Sequence, residues 1–379
     1  MALLLAASGP LVAAPATRAH DRDRAVRLGR EAYEYGLPLL EYLRVRREQT
    51  SVRAPDGRGN APVNQLSHAL DLAGPRDRTV VAPNVDTLYS IAHLDLGREP
   101  VVLGHPSMRR RYFAFTLLDP YTNVVGYVGT RTTGSRARRT AIVWSRRRVR
   151  VPKGVRTLHV RFRRIWVIGR TVARGRSDVA AARRLMRRYA LVPLSRLDDP
   201  PRPPARPPGR PRKARTPTGI AFFDALATAL KRNPPPRRDR PILTRLATVG
   251  IEPGRGPTAA GVSAEVRDGL VEGFRQARAE VATRARSRAL AGALASGGWY
   301  TPDADVGDYG TDYALRAEIA VAGLGANTPA EATYPIALAD GEGRLLDGNH
   351  RYTVSFRPRE QPPVRAFWSL TMYTLDGYL

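Results

Sequence analysis

Cysteine is absent from the 379 residues, so no disulfide, thiol nucleophile or thiolate-held zinc or iron–sulfur site can contribute. Folding rests on packing alone. Lysine is almost absent as well, since 59 of the 62 basic residues are Arg and only Lys153, Lys213 and Lys231 are Lys. No run approaches the roughly 20 consecutive apolar residues that span a bilayer, which excludes a transmembrane helix. No Gly-x-Ser-x-Gly string and no phosphate-loop string occurs, and no pair among the six His has the spacing of a helix-borne metal site. Serine-hydrolase and nucleotide-hydrolase chemistry are therefore not indicated, and no metal site or cofactor is read.

A formal net charge of +28 would ordinarily point to nucleic acid, because each neutralised phosphate releases counterions. The distribution argues otherwise. Selection for phosphate contact uses both basic residue types and concentrates them on one face or tail, whereas these Arg are spread through every kind of segment. The densest clusters, Arg146 to Arg150 and Arg202 to Arg215, carry no interleaved aromatics. No nucleic-acid partner is expected.

What is present is 42% hydrophobic residues, ample for one large or two medium domains. Ala2 to Ala14 is a short apolar segment followed by small residues, the pattern of a signal peptide over 1–19, which predicts an exported protein: periplasmic, envelope-associated or secreted. Ala25 to Arg47 reads as a helix. Between Thr79 and Thr171, short apolar or alternating runs predict strands at Leu88–Leu96, Val101–Leu103, Tyr112–Leu118, Ala141–Trp144, Leu158–Phe162 and Ile165–Ile168. Amphipathic helices follow at Asp178–Ala190, Ile220–Lys231 and Val266–Leu290. They are interrupted by 200–217, where eight Pro and six Arg or Lys in 18 residues cannot propagate a helix or a central strand. The β signal returns at Tyr334–Ala339, Tyr352–Phe356 and Ala366–Tyr373.

Three motif blocks are more specific than composition. One is Asn84-Val85-Asp86-Thr87-Leu88-Tyr89-Ser90. A second runs from Arg111-Tyr112-Phe113 through Leu118-Asp119-Pro120-Tyr121-Thr122-Asn123-Val124 to Gly129-Thr130-Arg131-Thr132-Thr133-Gly134, with Gly169-Arg170-Thr171 beyond. The third comprises Arg316-Ala317, Gly323-Leu324-Gly325-Ala326-Asn327, Ala330-Glu331-Ala332-Thr333-Tyr334-Pro335 and Pro362-Pro363-Val364-Arg365-Ala366-Phe367-Trp368-Ser369-Leu370-Thr371-Met372-Tyr373. Together they resemble the paired families called domain of unknown function 1254 and domain of unknown function 1214, N-terminal and C-terminal respectively. The resemblance implies an exported or envelope protein and brings no catalytic mechanism with it. Similar proteins continue through further strands after the third block, so the resemblance implies an incomplete C-terminal domain.

The expected fold class is α+β, mainly β. A leading helix and β domain occupy 20–175, a helical segment 176–300, and a β-sandwich or jelly-roll-like domain 301–379. His93 stands where the resembled family places an aromatic residue and is expected to be a core or rim substitute.

The candidate ligand-binding residues are Asp86, Tyr89, Asp119, Tyr121, Asn123 and Arg131, with Arg170, Arg316 and Trp368 as secondary candidates. If Asp86, Asp119, Tyr121, Asn123 and Arg131 converge, they line a polar pocket in which Arg clamps an anionic or hydroxyl-rich ligand. An Asx-turn at Asn84–Asp86 and an Asp–Arg network holding loops together are the structural alternatives. Trp368, beside Phe367 and Leu370, reads as core. An envelope hydrolase or lyase using Asp86 and Asp119 as acid and base is the catalytic alternative, and it needs the carboxylates ~5 to 10 Å apart. Exposed β edges also permit a homo-oligomeric assembly protein.

Overall fold

A computed structural model describes residues 15–76, 82–199, 207–374 and 376–379, with side chains from Arg18 onward. Residues 1–14 of the leader expected over 1–19, and 200–206 of the Pro- and Arg-rich stretch, lie outside the described residues. Helices are α1 (Pro15–Gln49), α2 (Val179–Met186), α3 (Ile220–Arg232), α4 (Arg240–Ala247), α5 (Pro257–Ala260), α6 (Ala264–Ala295) and α7 (Tyr313–Ala322). Strands are β1 (Ser67–Ala69), β2 (Thr87–Asp95), β3 (Val101–His105), β4 (Phe113–Leu118), β5 (Val124–Gly129), β6 (Arg138–Trp144), β7 (Arg156–Val160), β8 (Arg164–Val172), β9 (Ala190–Pro193), β10 (Trp299–Tyr300) and β11 (Ile336–Ala337). The class is α+β, with helix outweighing strand. Among the described residues no helix is long and apolar enough to cross a membrane.

The chain divides into two compact units. One joins the residues up to Gly36 with Pro217–Glu280, and the other joins Leu37–Thr216 with Val281–Leu379. This differs from the sequential division at 175 and 300, because the two long helices, α1 and α6, each contribute to both units.

The first unit is helical. Its core stacks Tyr33 on Phe222 and sets Phe274 edge-on to Tyr33, each pair 5.2 Å between ring centres. Tyr35, fully buried, donates its hydroxyl to the buried Asp239 carboxylate at 3.0 Å. Glycine allows α1 and α6 to touch backbone to backbone: a Cβ built on Gly273 would lie 2.3 Å from the Val26 carbonyl oxygen, and one on Gly269 would lie 2.5 Å from that of Arg22. Any side chain there pushes the helices apart.

The second unit holds a five-stranded sheet in the order β1-β2-β8-β4-β5 and a four-stranded sheet in the order β7-β6-β3-β9. The apolar runs at Leu88–Leu96, Tyr112–Leu118 and Ile165–Ile168 become β2, β4 and β8, with β8 between the other two. One face of the five-stranded sheet carries Phe113, Phe115 and Leu88, all buried, and meets His105 of β3 and Tyr189 through ring contacts of 4.6 to 4.9 Å. The opposite face carries Tyr89, Ile91 and His93 of β2 beside Arg170, Ile168 and Trp166 of β8. Part of it is covered by Tyr42, Leu43 and Val45 of α1 and by Leu324. His93 is a core residue here, stacked on Trp166 at 5.5 Å and bonded through Nε2 to Gln49 Oε1 at 2.8 Å.

The C-terminal segment differs from its sequence pattern. Of the strands expected after residue 330, only Ile336–Ala337 enters a ladder, with β10. Tyr352–Phe356 and Ala366–Tyr373 find no strand to bond, so no sandwich forms around them among the described residues. Trp368, expected in the core, is 47% exposed and meets only the ring of Phe356 edge-on, because no second layer lies over it. Residues 207–216 are extended but tied down: the Pro208 carbonyl accepts from the Arg53 amide at 2.8 Å, and the Arg212 amide donates to Ser51 Oγ at 2.7 Å.

The helix contact yields a first prediction. Gly273→Ala gains about 1 kcal/mol of helix propensity but overpacks a backbone contact, at a cost of roughly 1–3 kcal/mol. Replacement by Leu admits no such offset. Urea unfolding is expected to show a lowered midpoint for Gly273→Ala and a much lower one for Gly273→Leu, while Gly341→Ala, with open space around its Cβ, stays near wild type.

Candidate functional site

The strand order decides which sequence candidates meet. β2 and β4 are both antiparallel to β8 and therefore run in the same direction. Asp86 precedes β2 and Asp119 follows β4, so the two carboxylates lie at opposite ends of the sheet. The Asp86 carbonyl accepts from the Ala173 amide, whereas Leu118, just before Asp119, pairs with Trp166. At ~3.3 Å per residue this places their backbones over 20 Å apart. The five expected pocket residues do not converge, and an acid and base pair made of Asp86 and Asp119 exceeds the span for glycoside-type chemistry.

At the far end, Asp119, Tyr121, Asn123 and Arg316 form one buried group. Asp119 Oδ1 accepts from the Tyr121 amide at 2.8 Å and the Asn123 amide at 3.0 Å, while Asn123 Nδ2 donates to Oδ2 at 3.1 Å. These bonds fold a tight loop in which Thr122 takes a positive φ of 66°. The Arg316 guanidinium, 1% exposed, lies over the rings of Tyr121 at 5.5 Å and Tyr313 at 5.1 Å. Burial pushes the Asp119 carboxyl up to about 6, against the pull of the Asn123 bonds and Arg316. This group has the geometry of the loop-holding network.

At the near end the sheet presents Asp86, Tyr89, Arg131 and Arg170, joined by Tyr112, Thr116 and Tyr127, which lie in the second motif block but are not among the candidate ligand residues. Arg170 is half-buried on β8, opposite Tyr89 on one side and Ala114 on the other. Its guanidinium lies 5.6 Å from the centre of the Tyr89 ring. Nη1 donates to Thr116 Oγ1 and Asn327 Oδ1, both at 3.3 Å, and Nη2 to the Gly325 carbonyl at 3.4 Å. These three are long, and with a further bond to the Tyr89 hydroxyl the guanidinium reaches neutral oxygens only.

Asn327, buried, is the hub beneath. Its Oδ1 accepts from Thr116 Oγ1 at 2.6 Å, and its Nδ2 donates to the Tyr334 hydroxyl at 3.0 Å. Glu331 accepts from the Tyr112 hydroxyl at 2.8 Å and from Arg131 Nε at 2.7 Å, and the Arg131 guanidinium lies 5.0 Å from the Tyr127 ring centre. Arg131 is thereby neutralised, and Arg170 is not: among the described residues no carboxylate comes within ion-pair distance of it. Burial alone would lower its basicity, but the nearby phenols of Tyr89, Tyr334 and Tyr112 outweigh this and raise it. A shallow recess of only about 10 Å³ lies beside the hub, lined by Asn327, Tyr334, Asp303 and Val306.

Asp86 sits at the same end. Asn84 Oδ1 accepts from the Asp86 amide at 2.8 Å and from Thr87 Oγ1 at 3.1 Å, the Asx-turn that fixes the start of β2. That turn uses the Asn84 side chain and leaves the Asp86 side chain over, its Oδ2 buried with no hydrogen-bond partner among the described residues. The signal that could have found Tyr112 and Thr116 is the period of two along β4, which places polar side chains on the face opposite Phe113 and Phe115.

The half-buried His68 and the buried Asp119 give opposing pH dependences. Burial lowers His68 to about 4, so the unfolded chain binds its proton first and stability falls as pH drops from 6.5 to 4. Asp119 is raised to about 6, so the folded chain binds its proton first and stability rises as pH drops from 6 to 4. Denaturant unfolding between pH 4 and 7 is expected to show a steeper acid loss in Asp119→Asn and a shallower one in His68→Asn than in wild type.

Comparison with known proteins agrees with this architecture. Residues 63–193 match the family profile "Protein of unknown function (DUF1254)" and residues 331–378 match "Protein of unknown function (DUF1214)". No curated protein matches the chain. Among solved structures, the VPA0106 protein from Vibrio parahaemolyticus is similar at 19% identity and a TM-score of 0.58, over 80% of this chain and 69% of that one, a likeness of fold. An uncharacterized protein from Burkholderia cenocepacia aligns at 12% identity over 72% of this chain and 60% of that one, with a TM-score of 0.24 that carries no argument. The chain thus carries, in N- to C-terminal order, the paired DUF1254 and DUF1214 segments that its motifs resemble.

Proposed function

We propose that the Arg170 face of the second unit binds a small organic anion through a carboxylate or similar oxyanion group. The observation that carries this reading is the half-buried Arg170 guanidinium without a carboxylate partner among the described residues, its hydrogen bonds all to neutral oxygens. A cation removed from water without a counter-charge costs several kcal/mol unless something else supplies the charge. Guanidinium and carboxylate match as a planar two-bond pair. Tyr89 beneath the guanidinium supplies a flat surface and Tyr334 a hydroxyl beside it.

The reading predicts that Arg170→Gln abolishes anion binding without costing the free protein stability, since it removes an uncompensated charge. Thermal unfolding with acetate, succinate, phosphate and sulfate is expected to raise the wild-type midpoint for at least one of them and to leave the Arg170→Gln midpoint where it was. Equal shifts in both proteins, or none in wild type, contradict it. So does a large loss of stability in the ligand-free variant, which would mark Arg170 as a structural clamp.

A further inference from the structure

Arginine is spread along the whole chain, but the acids that would neutralise it are not. Residues 120–177 hold 16 Arg or Lys and no Asp or Glu, although at the chain's average of 34 acids in 379 residues about five would fall there. This stretch of 58 residues therefore supplies +16 of the formal +28. A chain-wide preference for arginine raises basic residues everywhere and does not empty one segment of acids.

The fold brings the densest part of that stretch to the outside of the four-stranded sheet. β6 and β7 are parallel, so the connection over 145–155 runs back along the sheet from the end of one to the start of the other. Val151 and Val155 turn inward onto Val102, Ala141 and Val143, which fastens the connection as an outer layer. Its other side carries Arg146, Arg148, Arg150 and Lys153, all exposed, and Arg156 follows as the first residue of β7. Among the described residues none of these five is in an ion pair. Acids around the sheet are already engaged: Asp198 with Arg139 at 3.0 Å, Asp95 with Arg163 at 2.5 Å, and Glu99 with the Ser195 amide and hydroxyl. Outside the described residues the chain has one further acid, Asp77.

Apolar groups stand among these charges. Val149, between Arg148 and Arg150, is 37% exposed, and the half-buried Trp144 at the end of β6 has the Arg146 guanidinium 6.0 Å from its ring centre. We propose that the crossover over 145–156 docks the protein on a bilayer surface that contains anionic phospholipid, its Arg and Lys side chains meeting headgroup phosphates. Tryptophan beside arginine suits the interfacial layer, and each basic residue near such a surface adds about fivefold in affinity. Nucleic acid fits less well. Base edges are read by a helix or two-stranded ribbon that enters a groove, and single strands lie on rows of aromatic rings, neither of which this irregular crossover offers. The inference is independent of Arg170, which belongs to the other sheet.

The test is co-sedimentation of the full chain with vesicles of phosphatidylcholine alone or mixed with phosphatidylglycerol. Binding is expected to the mixed vesicles only, and it weakens as sodium chloride is raised. The triple variant Arg148→Gln, Arg150→Gln, Lys153→Gln is expected to bind about a hundredfold more weakly. Arg150→Gln alone costs about fivefold and carries the test if the triple variant does not fold. A second triple variant, Arg238→Gln, Arg267→Gln, Arg278→Gln, removes the same charge from exposed positions of the helical unit and is expected to keep most of the binding. Equal losses in the two triple variants mean that binding follows net charge, and they overturn the proposal. Wild type that ignores the mixed vesicles overturns it as well. So does tighter binding of wild type to a short DNA duplex than to the mixed vesicles, lost in the crossover variants, which would make the crossover a nucleic-acid surface.

Discussion

An arginine that projects from the middle strand of a sheet must either reach water or find a negative charge, and Arg170 does neither completely. β8 sits between β2 and β4, so the Arg170 side chain rises where strands flank it on both sides and the loop of Gly325 to Thr328 closes over it. Around this one cation the near end of the second unit is arranged. Asn327 turns its carbonyl oxygen to Thr116 and Arg170 and its amide to Tyr334, while Tyr127 holds Thr328 and Tyr112 holds Glu331. Residues 325–334 thereby dock on the sheet through a layer of hydroxyls and amides. The other members of this layer also bond one another, so the docking does not rest on the Arg170 charge.

The same sheet has a different character at its other end. There Tyr42, Trp166, Ile168 and Leu118 pack as an apolar cluster, and Asp119 is spent on folding its own loop. Stability and ligand chemistry are thus separated along about 25 Å of strand, roughly the length of eight residues. One end buries its polar groups against each other, and the other holds the Arg170 guanidinium among neutral oxygens, with no carboxylate partner among the described residues. The helical unit contributes through packing: glycines at 29, 269 and 273 let two long helices touch backbone to backbone.

Much of this was readable from the residues. The alternating and apolar runs placed β2, β3, β4, β6, β7 and β8, and helical spacing placed α3 and α6. Strands β1 and β9 were missed because they are three and four residues long, and β5 because Gly126 and Gly129 interrupt its pattern. The C-terminal runs alternate like strands but lack partners, and alternation reports only that a segment could sit half-buried on a sheet, not that a neighbour exists. Asp86 and Asp119 looked like one site because each adjoins a strand end. Whether those ends meet depends on strand direction and order, and the insertion of β8 between β2 and β4 leaves no trace in spacing. Arg170 stood out as a secondary candidate within its Gly-Arg-Thr motif, but its lack of a carboxylate partner among the described residues is a property of the fold.

The central claim is that Arg170 is a resident cation awaiting an external anion. Nuclear magnetic resonance of the arginine side-chain Nε–H groups, assigned by loss of one signal in Arg170→Gln, tests it most directly during titration with acetate. The account predicts that the Arg170 signal shifts and saturates while those of the neutralised Arg131 and Arg111 stay in place. An Arg170 signal that does not move, or that moves in step with every exposed arginine, contradicts it.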